Sequence, residues 1–338
     1  MTSVISTYQT RGTDGMILSM EPTTPALMTE VTETYYSNYT YKTACDMESK
    51  ILGWLNVIVA VVGLAGNAAV IWLLGVRMSR NAISVYILNL AVADFLYLCF
   101  TFIIALQVLI SFFLGRNEFH LIYVFNFVFF YSYTAGLSFL SIISLERCLS
   151  VLCPIWYRCH RPRHASSFMC VLVWAPSFPF PFLKTFYCTI IIIDDYLNWC
   201  RLLPLLNAGY LLFLFVVLTG SSLALTVRMF CGSGRMSLTR LYVTVLLTVL
   251  VFIFCGLPYG IHYFLVYEIT SDVFDYPCYL LRLFILLTTV NSSANPIIYF
   301  FVGCFRQRQR QTLKQVLQRA LQDTPEDNEC GAAFLRGP

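Results

Sequence analysis

Charge is what this sequence has least of. Only 12% of its 338 residues are Asp, Glu, Lys or Arg, against roughly 25% in an ordinary soluble domain. Hydrophobic residues make up 58%, and mean hydropathy is +0.70. Lipid is therefore the expected solvent. The thirteen cysteines are odd in number and lie mostly in apolar segments or on the side read below as cytoplasmic, so they are no dense disulfide framework. Residues 1–50 are polar, Thr-rich and acidic, with "MIL" (16–18) as the one apolar scrap. No cleavable signal peptide is read there, so the first long apolar run is expected to direct insertion. Phosphate-binding loops, metal-ligand clusters and nucleophile–base constellations are missing. His160, His164 and His262 stand apart from Cys or carboxylate partners, so neither catalysis nor a metal cofactor is expected.

Long apolar runs, by contrast, are plentiful. Seven lie near 51–76, 82–114, 119–152, 167–187, 203–230, 241–268 and 278–303. About 20 helical residues cross the hydrocarbon, and each run is that long. The fold class is an all-α membrane protein, a seven-transmembrane helix bundle. Three regions follow: an extracellular tail over 1–50, the bundle over 51–303, and a cytoplasmic helix and tail over 304–338. Positive charge sets the orientation. Fifteen of the 22 Lys/Arg fall on one side, among them Arg77, Arg80, Arg158, Arg161, Arg163, Arg235 and Arg306, which makes that side cytoplasmic. The N-terminus is then outside, in agreement with the glycosylation sequon at Asn38. Residues 305–321 gather Phe305, Leu313, Val316, Leu317 and Leu321 near one helical face with basic residues largely opposite. That pattern predicts a short amphipathic helix on the anionic inner leaflet.

An inverted-repeat transporter would show matched halves with broken helices, and a pore would show recurrent lining polar groups. Neither pattern is present. A polytopic transporter or channel remains the alternative reading. The few polar groups inside the spans are functional candidates by default: Asn67, Asp94, Glu146, Arg147, Asn291 and Asn295. Pro296 in the seventh run and Pro258 in the sixth each remove a helix hydrogen bond and predict kinks. Pro176, Pro179 and Pro181 predict a distorted upper fourth helix that shapes the mouth of a pocket.

Several ordered stretches carry a resemblance. "LNLAVADF" (88–95), "SLERCLSVL", "CGLP" (255–258), "NSSANPIIYF" (291–300) and Gly66-Asn67 together resemble the rhodopsin-like receptors. "ERCLSVLCPIWYRCHRP", "LTRLYVTVLLTVLVF" and "LQDTPE" narrow the resemblance to the Mas-related G-protein-coupled receptors, over about 51–327. The resemblance implies a plasma-membrane receptor that binds an extracellular small molecule or peptide. Its partner would be the Gα subunit of a heterotrimeric G protein, of Gq or Gi class, in itch, pain or mast-cell responses. Membrane lipids are its surroundings, and no nucleic-acid partner is implied. A retinal pigment would need a lysine in the seventh run, and the corresponding place holds Thr289.

The resemblance assigns roles residue by residue. Glu146 would hold Arg147 at rest, and Arg147 would receive Gα once the sixth helix swings out, with Pro154, Ile155 and Trp156 as an apolar plug. Asn295, Pro296 and Tyr299 would form the lever of the seventh helix. Asp94 with Asn67, Asn291, Ser292 and Asn295 would form a polar core. The third-helix hydroxyl of the usual sodium site is replaced by Gly136, which argues against sodium at Asp94. Gly256 and Leu257 stand before Pro258, so the usual Trp toggle is missing, and Tyr259 or Phe254 would take over its coupling. No cysteine stands near 118–126 for the common outer disulfide. The family separation instead implies Cys188 with Cys200. A Cys45–Cys278 bridge and palmitoyl groups on Cys304 or Cys330 stay open.

Ligand charge is the last expectation. Relatives that respond to cationic peptides and amines tend to carry an acidic residue four before the first bridge cysteine and another four after the second. Here those places hold Lys184 and Pro204. A neutral, amphipathic or anionic ligand is expected among Tyr131, Tyr259, His262, Tyr263 and Phe284, with Lys184 at the rim. The alternative is a basic peptide received by Asp194 or Asp195.

Overall fold

The computed structural model describes residues 26–77, 82–114, 122–162, 164–186, 199–231, 240–263, 278–304 and 313–320. Contacts divide the chain into Met1–Asp46 and Met47–Pro338, and every feature of the site belongs to the second unit. Seven helices are long and apolar enough to cross a membrane: Lys50–Arg77, Ala82–Ile110, Tyr123–Leu152, Ala165–Phe186, Leu205–Arg228, Tyr242–His262 and Tyr279–Val302. They are numbered here as spans one to seven. The bundle expected from the apolar runs is the fold observed.

Local chemistry accounts for where helices begin and break. The first helix runs Ala26–Trp72 and so starts well before the apolar run. Pro25 precedes it, and neither Pro nor Gly occurs again until Gly53, so nothing in the polar stretch interrupts it. The fourth span is broken as its prolines predict. One helix covers Ala165–Ser177 and a second starts at Pro179, after Phe178. In the sixth span, Pro258 has no N–H to offer. The helix Arg240–Val251 passes into a π-helical turn over Phe252–Gly256, where the Leu257 N–H donates to the Phe252 carbonyl. The seventh helix, Cys278–Cys304, runs through Pro296. The C-terminal helix covers Leu313–Ala320, and its Leu317 is fully buried in the main apolar cluster. It is thus docked on the bundle as well as amphipathic.

In lipid, helices associate through close packing and hydrogen bonds rather than through hydrophobic transfer. Spans three and five carry a ladder of hydroxyls at three-residue steps. Ser138 pairs with the Tyr210 hydroxyl at 3.2 Å, Ser141 Oγ donates to the Leu214 carbonyl at 3.0 Å, and Ser144 meets Ser221 and Ser222 at 2.8 Å. Spans one and seven approach through glycine. Asn67 Nδ2 donates to the Ser292 carbonyl at 3.1 Å and Ser293 Oγ to the Val59 carbonyl at 3.2 Å. A Cβ at Gly63 would lie 2.8 Å from Leu98 Cδ1 and from the Ser293 Cβ. Gly63→Val is expected to destabilise the bundle by about 1–3 kcal/mol, the usual cost of overpacking. A thermal-unfolding midpoint in detergent should fall accordingly, while Gly75→Ala, with nothing within 4 Å of its Cβ, should leave it unchanged.

Candidate ligand cavity and intramembrane switch

One end of the bundle encloses a cavity of about 700 Å³ with walls from all seven spans. That volume lies within the range of small-molecule sites, roughly 300–1,000 Å³. Asn56, Thr101, Asn126, Lys184, Asn207, Tyr259 and Arg282 give the wall its polar and charged points, and most of the rest is apolar. Lys184, Tyr259 and Pro181 are among the residues that line it.

Three other pocket candidates do not line this cavity. Tyr131 packs between Trp174 at 5.4 Å, Phe127 at 5.8 Å and Phe178 at 6.1 Å, because its helix face meets the fourth span. His262 and Phe284 lie against one another at 4.9 Å, and neither is among the lining residues. The Tyr263 side chain, Asp194, Asp195 and Cys188 lie outside the described residues. Cys200 is disulfide-bonded, to a residue outside the described set. The side chains of Asn38, Cys45, Trp156, Cys278 and Cys304 are likewise outside it. Sequence reading missed Arg282, Asn56 and Asn207, because polar residues at helix ends look like ordinary interface anchors.

Beneath the cavity lies an aromatic cluster. Tyr259 is buried and packs on Phe129 at 4.5 Å and on Tyr133 at 6.3 Å. The Tyr133 hydroxyl donates to the Gly256 carbonyl at 3.2 Å, in the π-helical turn before Pro258. Glycine is required there, since a Cβ would lie 2.7 Å from the Phe252 ring. Tyr259 thus packs between the cavity and Tyr133, whose hydrogen-bond partner lies in the kink. Phe254 does not, being 71% exposed on the lipid side. Tyr133 was not foreseen, because its partner lies 123 residues away. Tyr133→Phe removes one hydrogen bond worth about 1 kcal/mol, so agonist potency in a nucleotide-exchange assay should shift by roughly fivefold while agonist binding persists.

Farther along, the expected polar groups do come together. Asn295 Nδ2 donates to Asp94 Oδ2 at 2.7 Å, and both residues are buried. A void of about 20 Å³ beside them is lined by Ser132, Gly136, Asn291, Ser292 and Asn295, among others. It has room for one water. The Ser132 hydroxyl, the Asn291 Oδ1 and the Asn295 Oδ1 are buried there without protein partners. Gly136 sits where the missing hydroxyl would project. Tyr299 is buried in the main cluster.

At the opposite end from the cavity, the expected Glu146–Arg147 pair is not formed. Glu146 is turned to a different cation: Arg161 Nε donates to Oε2 at 3.1 Å and Nη2 to Oε1 at 3.0 Å. The Tyr157 hydroxyl adds a bond at 2.7 Å and the Tyr86 hydroxyl one at 3.0 Å. Arg161 also donates to Ser166 Oγ at 2.7 Å. The reason is geometric. Adjacent residues on a helix do not face one another, whereas the short helix Pro154–Cys159 brings Tyr157 and the residues after it back over Glu146. Burial, the hydrogen bond to Glu146 and its negative charge push the Tyr157 phenol up to about 12, so it stays a donor. Burial opposes the charge on Arg161, yet the carboxylate bonds outweigh that and raise its pKa. Arg147 itself is buried at 3% exposure, which is not the posture of an arginine snorkelling to the interface. Pro154 and Ile155 are exposed, Ile155 by 78%.

The cavity at one end, the buried Arg147 at the other and the polar groups and π-helical turn between them are the elements of a candidate switch. In agreement, the profile "7 transmembrane receptor (rhodopsin family)" matches residues 66–299. Similarity is closer within one branch of that family. The chain is 50% identical over 321 residues to the Mas-related G-protein coupled receptor member X2 of Macaca mulatta, covering 94% of this chain and 97% of the relative. It is 51% identical over 329 residues to that of Rhinopithecus bieti and 49% over 327 to that of Homo sapiens, with the same coverage. The chain belongs to the Mas-related G-protein-coupled receptors, multi-pass membrane proteins that signal through G proteins.

Proposed function

We propose that the chain lies in the plasma membrane with its N-terminus and the Lys184 end of the cavity outside. It binds an extracellular small molecule or peptide there and activates a heterotrimeric G protein of Gq or Gi class. The observation that carries this reading is the separation of the cavity from Arg147, with Tyr259, Tyr133 and the Gly256 carbonyl in sequence between them. Ligand in the cavity biases the sixth-span kink, and the outward swing of that span exposes Arg147 to the Gα C-terminus. Ile155 and Pro154 supply an apolar contact beside it. Two packings of one helix form the bistable element. Asp94, Asn295 and the void beside them repack with it, around water rather than sodium, since Gly136 offers no ligand. Roles in itch, pain or mast-cell responses accord with this reading.

On the outside, Cys188 closes a bridge to Cys200, in an oxidising compartment, and Asn38 carries glycan. Cys188→Ser is expected to lower surface expression as much as the Cys188/Cys200 double change, because one bridge is lost in both; peptide mapping that finds Cys188 free at the surface overturns the pairing. The function itself is tested with purified receptor in lipid nanodiscs and Gα. Ligand-dependent GTPγS uptake supports it. Ligand-dependent solute flux in vesicles without nucleotide exchange supports the transporter alternative instead.

A further inference from the structure

The short helix Leu313–Ala320 is seated on the part of the bundle that has to move. It packs against the seventh helix, Cys278–Cys304, and against Arg240–Val251, the half of span six that precedes the π-helical turn. Among the described side chains of this helix, Leu317 alone is buried; Leu313, Gln315 and Gln318 are exposed. Leu317 is 0% exposed and belongs to the apolar cluster that includes Val245 and Val249 of span six, Ile143 of span three and Tyr299 of span seven. A helix lying only on the inner leaflet would leave its leucines to lipid, whereas this one is covered by protein. Ile143 stands one helical turn before Arg147, which is itself buried.

We propose that this helix is an autoinhibitory plug, which holds the sixth span against the seventh and occupies the cytoplasmic surface that Gα must reach. The inference rests on the receptor reading above and adds to it a competitor carried by the chain itself. Outward movement of span six separates it from the seventh helix, so Leu313–Ala320 cannot keep both contacts once that span swings. The contact need not be strong. A segment tethered to the seventh helix acts at an effective concentration on the order of millimolar, which favours it over a Gα that has to arrive from solution. The apparent affinity for Gα then falls with the fraction of receptors that the helix has left. Ligand in the outer cavity and loss of the Leu317 contact act on one equilibrium, each from its own end.

The test uses the whole receptor in phosphatidylcholine nanodiscs, without ligand, with Gi and Gq heterotrimers supplied in turn. At matched amounts of folded receptor, Leu317→Glu is expected to raise basal GTPγS uptake roughly fivefold or more, the usual scale of coupling between sites. Gln318→Glu puts the same charge on an exposed neighbour and should stay at the wild-type rate. Basal uptake that is present but not raised by Leu317→Glu overturns this proposal alone. Uptake absent from every variant with both heterotrimers overturns the receptor reading as well. Docking is read separately, with no charge placed in the core. Leu317→Cys and Gln318→Cys are each treated with a water-soluble maleimide, and alkylation at each site is followed by peptide mass mapping. The Leu317→Cys thiol should react at least roughly tenfold more slowly, as a group reached only by local opening does. Nucleotide-free Gα should bring its rate close to that of Gln318→Cys. Equal rates at rest, or a Leu317→Cys rate that stays slow with Gα bound, overturn the plug.

Discussion

Arg147→Ala is expected to leave folding and ligand binding near wild type and to cut Gα nucleotide exchange by roughly tenfold or more. The size follows from losing hydrogen bonds made by a charged donor, about 1.5–3 kcal/mol, at the step where Gα engages. Burial decides the direction. At 3% exposure the guanidinium is not positioned for the interface, so its removal should cost the resting receptor little contact with lipid headgroups. Its part is played when the sixth span moves. GTPγS uptake at matched surface expression is the measurement, and undiminished uptake would show that Arg147 is only a buried structural cation.

The second large effect concerns Arg161. Four hydrogen bonds from Arg161, Tyr157 and Tyr86 hold the Glu146 carboxylate away from its neighbour. Removing Arg161 leaves a carboxylate of 13% side-chain exposure without its cation, a costly state in a partly buried place. Arg161→Ala should therefore loosen the short helix Pro154–Cys159 from Glu146 and lower Gα activation several-fold. Adding Glu146→Gln removes the stranded charge, and the double variant should recover most of the loss. Such non-additivity is the mark of one shared network. A double variant no better than Arg161→Ala alone would mean that the clamp serves folding, not switching.

The sequence made the bundle legible because spanning length and charge asymmetry are local properties. Break points in spans four and six were readable for the same reason, since proline acts within a turn of itself. The family motifs pointed to Asp94 and Asn295, which share a hydrogen bond, and to Arg147 and Tyr299, which are buried. Partnerships were harder. Glu146 was paired with Arg147 by adjacency in the chain, whereas the helix geometry turns it to Arg161. The clue was in view, because Tyr157 and Arg161 stand four apart just after the third span, but Tyr86 comes from another helix and left no local trace. In the pocket, Tyr131 and His262 were assigned by residue type, and the direction each faces depends on helix rotation, which apolar stretches do not specify. Arg282 was counted only as an outer charge for the same reason.

The central claim is that the cavity end and the Arg147 end are coupled through the sixth span. Spin labels report this most directly, with one on the exposed Cys153 at the foot of span three, one on Arg240→Cys at the start of the sixth helix, and Cys159, the other exposed thiol among the described residues, replaced by serine. Their separation is measured by pulsed electron resonance in nanodiscs, with and without nucleotide-free Gα. The account predicts a longer separation when Gα is bound, and a smaller gain when Tyr133→Phe loosens the hinge. A separation unchanged by Gα would contradict it.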